Sequence, residues 1–149
     1  MFGLTEGLVE RSDEMLADMV GIQVEITEAL GFPYRLLNMA TEELGAAAYR
    51  KFDIEVWMPS KHSYGEICSA SNCTSYQSRR LNINYLDAHN QKKLVHTVNG
   101  TALAVPRVIQ TILETHYDPV ADVVRIPECL RPWLPFEEIS EKRDSLILQ

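Results

Sequence analysis

The chain is poor in cysteine, in long apolar runs and in clustered positive charge, and each shortage removes a class of protein. Three cysteines, Cys68, Cys73 and Cys129, occur in 149 residues. Their odd number, without a CxxC or Cys/His ligand spacing, supports neither a disulfide framework nor a structural zinc site, and a reducing compartment is expected. No apolar run reaches the ~18 residues of a spanning helix, and no charged-then-apolar leader opens the chain, so a soluble protein without a membrane partner is expected. The formal net charge of -7 opposes binding of nucleic acid over a broad basic surface. Lysine and arginine gather only in local pairs such as Arg50-Lys51, Arg79-Arg80 and Lys92-Lys93. Internal repeats and low-complexity segments are also missing.

What is present is enough apolar material, 46% of the residues, for one ordinary core. Ser12 to Leu30 reads as the clearest helix: Ser12 is placed to cap it, Asp13 and Glu14 suit its positive end, and Met15, Met19, Ile22, Ile26 and Leu30 recur at helical spacing. Gly31 ends it and Pro33 breaks the chain. Tyr34 to Met39 reads as a strand, and Thr41 opens an Ala-rich helix to about Tyr49. Asp53 to Met58 alternates with period two, so Ile54, Val56 and Met58 share one face.

Further on, Glu66 to Ser71 is a strand, Asn72 to Ser78 a polar loop, and Arg80 to Tyr85 a strand with Leu81, Ile83 and Tyr85 on one side. A turn at Asp87 to Lys93 leads into a strand from Leu94 to Val98, which pairs with its predecessor as a hairpin. Gly100 to Tyr117 turns helical, with Ala104, Val108, Ile112 and Leu113 buried and Pro106 tolerable only in the first turn. Val123 to Ile126 is a last strand before an irregular stretch containing Pro127, Pro132 and Pro135. Connections this short cannot make parallel crossovers, so the expected class is α+β, a mainly antiparallel sheet with helices on one face.

Three groupings of residues carry chemistry. Asn99-Gly100-Thr101 lies where a strand yields to a helix, a place that offers polar side chains and free amide donors to a charged ligand; Arg107 then supplies a planar cationic fork suited to phosphate. The same spacing also fits a plain capped helix with a solvated arginine. Glu66 and Ser69 are hard oxygen donors that suit Mg²⁺ once a nucleotide completes the shell. Residues three apart on a regular strand face opposite ways, so this pair converges only across a bulge or strand end. Ser71, Asn72, Gln77, Arg79 and Arg80 crowd amide and guanidinium groups that fit either a substrate or an ordered loop. The histidines, His62, His89, His96 and His116, lack partners at ligand spacing.

Four linked strings, YRLLNMATEELGAAAYRKFDIEVWMP, YGEICSASNCTSYQSRRLNINY, VHTVNGTALAVPRVIQTILE and VRIPECLRPWL, resemble the class II seryl-tRNA synthetase family in order and spacing. The third contains that family's motif 3. The resemblance implies an antiparallel class II sheet flanked by helices, and a chain that is the C-terminal portion, residues 1–149, of a single catalytic domain. It implies an enzyme that activates serine with ATP to seryl-adenylate and transfers it to tRNA(Ser). On this chain, it implies that Glu66 and Ser69 hold ATP-bound Mg²⁺, that Arg107 contacts the ATP phosphates, and that Asn99 and Thr101 line the serine pocket.

Motifs 1 and 2, the homodimer interface and the tRNA-binding arm are then expected outside these residues, and the sheet within them is expected to be incomplete. Ser75 stands where the family usually has an acidic residue, and Glu42-Glu43 where it has Gly-Asp. The YRKFDIEVWMP and SASNCTSYQSRRLNI strings resemble the mitochondrial form of the family more than the cytosolic one. The competing reading is a synthetase-like paralogue without catalysis that serves as a binding or regulatory partner.

Overall fold

In the computed structural model, residues 1–140 are described; the last nine residues of the expected 1–149 domain lie outside them. The elements run β1 (Phe2–Thr5), α1 (Val9–Ala29), β2 (Tyr34–Asn38), β3 (Arg50–Met58), β4 (Ser63–Asn72), α2 (Tyr76–Leu81), β5 (Asn84–Leu86) and β6 (Lys92–Leu94). They continue with β7 (His96–Thr101), α3 (Val105–Thr115), β8 (Tyr117–Asp118), β9 (Val123–Arg125) and β10 (Glu138–Ile139). Among the described residues the main sheet has five strands in the order β1-β7-β4-β3-β2, every neighbouring pair antiparallel. The α+β expectation is met, since no connection inside the sheet is a parallel crossover.

One face of the sheet is covered. Ile54, Val56 and Met58, the residues singled out by period two, are fully buried and pack with Leu30, Phe32, Ile67, Cys68 and Val108. A second cluster joins Leu16, Met19 and Val20 of α1 to Ala70 and Val98. Both α1 and α3 therefore lie on the same side. Burying a side chain such as Ile54 removes its apolar surface from water, a stabilisation of ~1.5–3 kcal/mol per residue.

Several local expectations fail for identifiable reasons. The first helix begins at Val9, not after Ser12; Leu8 is its N-cap and makes no side-chain cap bond. Ser12 is buried inside the first turns, where its hydroxyl lies 3.0 Å from Nδ1 of His96 and accepts from Asn72 Nδ2 at 2.9 Å. Asn72 also donates to Asp13 at 2.8 Å, so this buried network ties the start of the helix to the sheet. The buried stripe runs through Leu16, Met19, Val20, Gln23 and Thr27, and Ile22 is exposed. A polar glutamine and threonine on the inner face hide the true phase.

The Ala-rich helix is only a 3-10 turn at Thr41–Glu43, after which residues 44–49 form a loop held by Tyr49 N donating to Asn72 O at 2.8 Å. The polar loop and strand expected over 72–85 contain α2 instead, with Leu81 exposed and Asn82 left-handed at its C-terminus (φ 54°). The strand expected over 94–98 divides between two sheets: β6 pairs with β5 as the hairpin, and β7 enters the main sheet. The last long helix begins at Val105, not Gly100; Pro106 does sit in its first turn, Val108 is buried and Leu113 is exposed. Gly31 closes α1 as expected, at φ 72°.

Candidate active site

The face of the sheet turned away from α1 and α3 carries polar side chains in rows. Register places Lys51, Ser71 and Asn99 in one row across β3, β4 and β7, and Asp53, Ser69 and Thr101 in the next. Glu55 stands opposite Glu66 in a third. Since Asp53 and Glu55 are two apart in β3, they share a face, and so must their partners Ser69 and Glu66.

A break in the β3–β4 register makes this possible. Ile54 pairs with Cys68 but Glu55 pairs with Glu66, so Ile67 is an extra residue, a β-bulge. Ile67 and Cys68 both join the core cluster, and the alternation restarts one residue late. The convergence that regular strand geometry forbids is supplied by the bulge.

Arg107 comes from the first turns of α3, which starts just beyond the end of β7. Ala104 N donates to Ile67 O at 2.8 Å, docking the helix start against the bulge. The Arg107 guanidinium then donates to the carbonyl of Glu66 and stands 3.8 Å from its carboxylate, a long pair with both side chains partly exposed. Glu66 and Arg107 are thus brought together, and Ser69 shares their face of the sheet in the row next to Glu66.

Asn99 lines a different part of the same face. With Lys51, Ser71, Gln77 and the 45–48 loop it bounds an open recess of about 380 Å³. Its Nδ2 donates to Cys73 Sγ at 3.5 Å. Burial pushes the Cys73 thiol up from its ordinary pKa, against the lowering effect of Asn99. Thr101 is exposed and does not line this recess, although it heads the row that contains Ser69.

Of the third grouping, Ser71 and Gln77 face the recess, and Gln77 Oε1 accepts from Thr97 at 2.7 Å. Asn72 points to the opposite side, into the network under α1. Arg79 and Arg80 are exposed and fold back on α2, with Arg80 stacked 3.7 Å above Tyr76. Among the histidines, His96 is buried and its pKa is held down by burial, and His116 Nε2 lies 2.8 Å from Leu30 O. His96 stitches α1 to the sheet, and His116 joins the ends of α1 and α3.

Sequence reasoning misses three residues of this face, Lys51, Asp53 and Glu55. Asp53 is only 3% exposed, receives Lys51 Nζ at 2.8 Å through one oxygen, and has no partner for the other among the described residues. Glu55 pairs with Arg35 at 2.6 Å. A signal for the two acids does exist: the alternation that puts Ile54 and Val56 inside puts Asp53 and Glu55 on the far side.

A site that can hold a divalent ion with phosphates needs few protein ligands. No group of three or more His, Cys, Asp or Glu side chains able to hold a metal occurs among the described residues. Two oxygen donors on one face beside a cation nonetheless fit Mg²⁺, which keeps waters and takes substrate phosphates as ligands. No helix of the described residues is long and apolar enough to cross a membrane.

Residues 4–116 match the family described as tRNA synthetase class II core domain (G, H, P, S and T). An antiparallel sheet with helices on one face and a polar opposite face is thus the core of a class II tRNA synthetase, and the chain belongs to that family. Similar proteins include serine–tRNA ligases. The mitochondrial serine–tRNA ligase of Saccharomyces cerevisiae is 48% identical over 126 residues, covering 84% of this chain and 28% of that protein. The serine–tRNA ligase of Rubrobacter xylanophilus is 46% identical over 134 residues, 90% of this chain and 31% of that one. The crystal structure of seryl-tRNA synthetase from Pyrococcus horikoshii complexed with ATP superposes with a TM-score of 0.87 at 40% identity, over 93% of this chain and 31% of that chain. The chain therefore spans under a third of the length of these proteins.

Proposed function

We propose that the chain is the C-terminal portion of the catalytic domain of a serine–tRNA ligase and contributes part of its ATP and serine sites. In the proposed reaction an oxygen of the serine carboxylate attacks the α-phosphorus of ATP, the bond to the bridging oxygen breaks, and pyrophosphate leaves. The seryl group of the resulting adenylate then passes to the 3′ end of tRNA(Ser), and AMP is released. The observation that carries this reading is the bulge at Ile67, which sets Glu66 and Ser69 on one face beside Arg107.

Glu66 and Ser69 are the residues that would hold ATP-bound Mg²⁺, which when bound neutralises phosphate charge. Arg107 would contact the phosphates by exchanging its bond to the Glu66 carbonyl for bonds to phosphate oxygens, the partly exposed ion pair at 3.8 Å costing little to break. Such displacement is accelerated by positioning and charge neutralisation more than by covalent chemistry. Asn99 and Thr101 are assigned to serine. Their amide and hydroxyl discriminate against alanine and glycine because a missing substrate hydroxyl leaves a polar partner unmatched. Binding of tRNA(Ser) and homodimerisation are assigned to the remainder of a longer polypeptide. The mitochondrial matrix is favoured over the cytoplasm by the wording of the strings and by the yeast relative, and the bacterial relative is compatible with that origin. The presence of Glu66, Ser69, Asn99, Thr101 and Arg107 together weighs against the alternative of a non-catalytic paralogue.

The test is serine-dependent exchange of labelled pyrophosphate into ATP by the natural polypeptide that contains this chain. Exchange with serine well above that with alanine or glycine is expected. No exchange, or equal exchange with alanine, would overturn the proposal.

A further inference from the structure

We propose that Gln23, on the covered side of the sheet, is a positioning residue that holds the backbones of Ser69 and Thr101 at a fixed separation. The inference rests on the functional reading above for what those two residues do. Gln23 is fully buried on the inner face of α1. Its Nε2 donates to Ser69 O at 2.8 Å and to Thr101 O at 2.8 Å. One side-chain amide thus spans two strands from behind.

The place it spans is where the ladder ends. Ser69 and Thr101 are the final partners of the β4–β7 pairing: β4 bulges at Ile67 beyond this point, and β7 stops at Thr101 as the chain turns toward α3. Strand carbonyls at such an end lose their ladder donors, and buried ones need replacements. A primary amide presents two hydrogens in a planar fork, one for each carbonyl. The Ser69 and Thr101 side chains belong to the opposite face, so fixing the two backbones fixes the spacing of the two hydroxyls.

Helix packing alone does not call for a glutamine here. Neighbouring Leu16, Met19 and Val20 attach α1 through apolar contacts, which tolerate small slides. Gln23 is also costly to bury, since its Oε1 has no partner among the described residues. A residue that carries that cost and joins two candidate site residues on different strands serves register.

Gln23→Leu in the natural polypeptide tests the assignment, with Thr27→Val as the control. Thr27 is equally buried one turn along α1, and its hydroxyl turns back on Gln23 O at 2.7 Å. Gln23→Leu is expected to raise the Mg²⁺ concentration for half-maximal exchange and the KM for serine by about 10- to 100-fold. Thr27→Val is expected to lower the melting temperature and leave both unchanged. Should Gln23→Leu not fold, Gln23→Met, unbranched and of similar length, takes its place. A Gln23 variant whose Mg²⁺ requirement and serine KM stay within about twofold of the unsubstituted protein overturns the proposal.

If the unsubstituted protein shows no serine-dependent exchange, the functional reading fails, and the clamp is decided by amide hydrogen exchange. Faster exchange in the 69–72 and 99–103 segments of the Gln23 variant than of the Thr27 variant sustains it, and equal rates refute it.

Discussion

The two faces of the main sheet are built from the same strands and obey different rules. On the covered face, Ile54, Val56, Met58, Ala70 and Val98 meet α1 and α3, and the interaction is burial. On the other face, Lys51, Asp53, Glu55, Glu66, Ser69 and Asn99 stand in rows, and the interaction is pairing: Lys51 with Asp53, Arg35 with Glu55, Arg107 with Glu66. Core contacts are non-directional and sum over many atoms. Polar pairs on the open face are individually weak but specific in geometry. Stability and chemistry are thereby assigned to alternate residues, and a substitution should disturb one without the other.

The strongest challenge to that division is Ile54→Ala. Ile54 is fully buried beside the bulge, and the loss is expected to be ~2–5 kcal/mol in chemical unfolding of the natural polypeptide. The remaining folded enzyme should keep its preference for serine over alanine; a changed preference would break the comparison. Arg107→Leu should do the reverse, lowering pyrophosphate exchange by ~10²–10³-fold with a nearly unchanged melting temperature. A large drop in melting temperature would instead make this residue part of the scaffold.

Gly100→Ala probes the seam between the faces. A methyl group there would come within 2.9 Å of Ser69 O and 3.1 Å of Ala70 Cβ, so β4 and β7 must move apart. A loss of ~1–3 kcal/mol in stability is expected together with weaker serine binding, read by unfolding and by KM. Cysteine alkylation sharpens the same contrast at smaller scale. Burial on the covered face pushes the Cys68 thiol up to about 11, so at pH 8 it should react far more slowly with iodoacetamide than the exposed Cys129. Equal labelling, read by mass spectrometry, would show that the covered face opens.

The smallest effect concerns a rim pair outside both faces. Glu114 accepts from Ser60 N at 2.9 Å, Ser60 Oγ at 2.7 Å and Gln110 at 2.8 Å, and the Ser60 backbone bond foremost holds its pKa below the ordinary carboxylate value. Because the folded pKa is depressed, the contribution is present above the unfolded pKa and lost as pH falls through the folded one. The melting-temperature difference between the natural protein and Glu114→Gln should shrink as pH falls through that range.

Much of this architecture is legible in the order of the residues. Period two in residues 53–58 identifies the inner face of β3, and the shortness of the connections fixes the antiparallel class. Strand ends and short helices are less legible: residues 72–85 mix polar and apolar residues without a dominant period, so nothing marks α2. The phase of α1 is obscured because Ser12, Gln23 and Thr27 are polar and wholly buried. For Ser12 and Gln23 the burial is explained by partners distant in sequence, His96, Asn72, Ser69 and Thr101, which no local window contains, while Thr27 turns back on Gln23 O within its own helix. The Glu66–Ser69–Arg107 grouping can be named from the sequence, but its convergence depends on a bulge that no residue type announces.

That bulge makes the sheet sensitive to parity. Side chains on β4 before Ile67 count odd and even from one origin, and those after it from another. Deleting Ile67 would restore regular counting and leave every side chain on its present face, whereas flattening the bulge with Ile67 retained would exchange inside for outside along the first half of the strand. The Glu66 carboxylate would then point at Ile54 and Val56, and Gly65, which now leaves room for Met58, would look out to solvent. One unpaired residue is thus what keeps a charge out of the core.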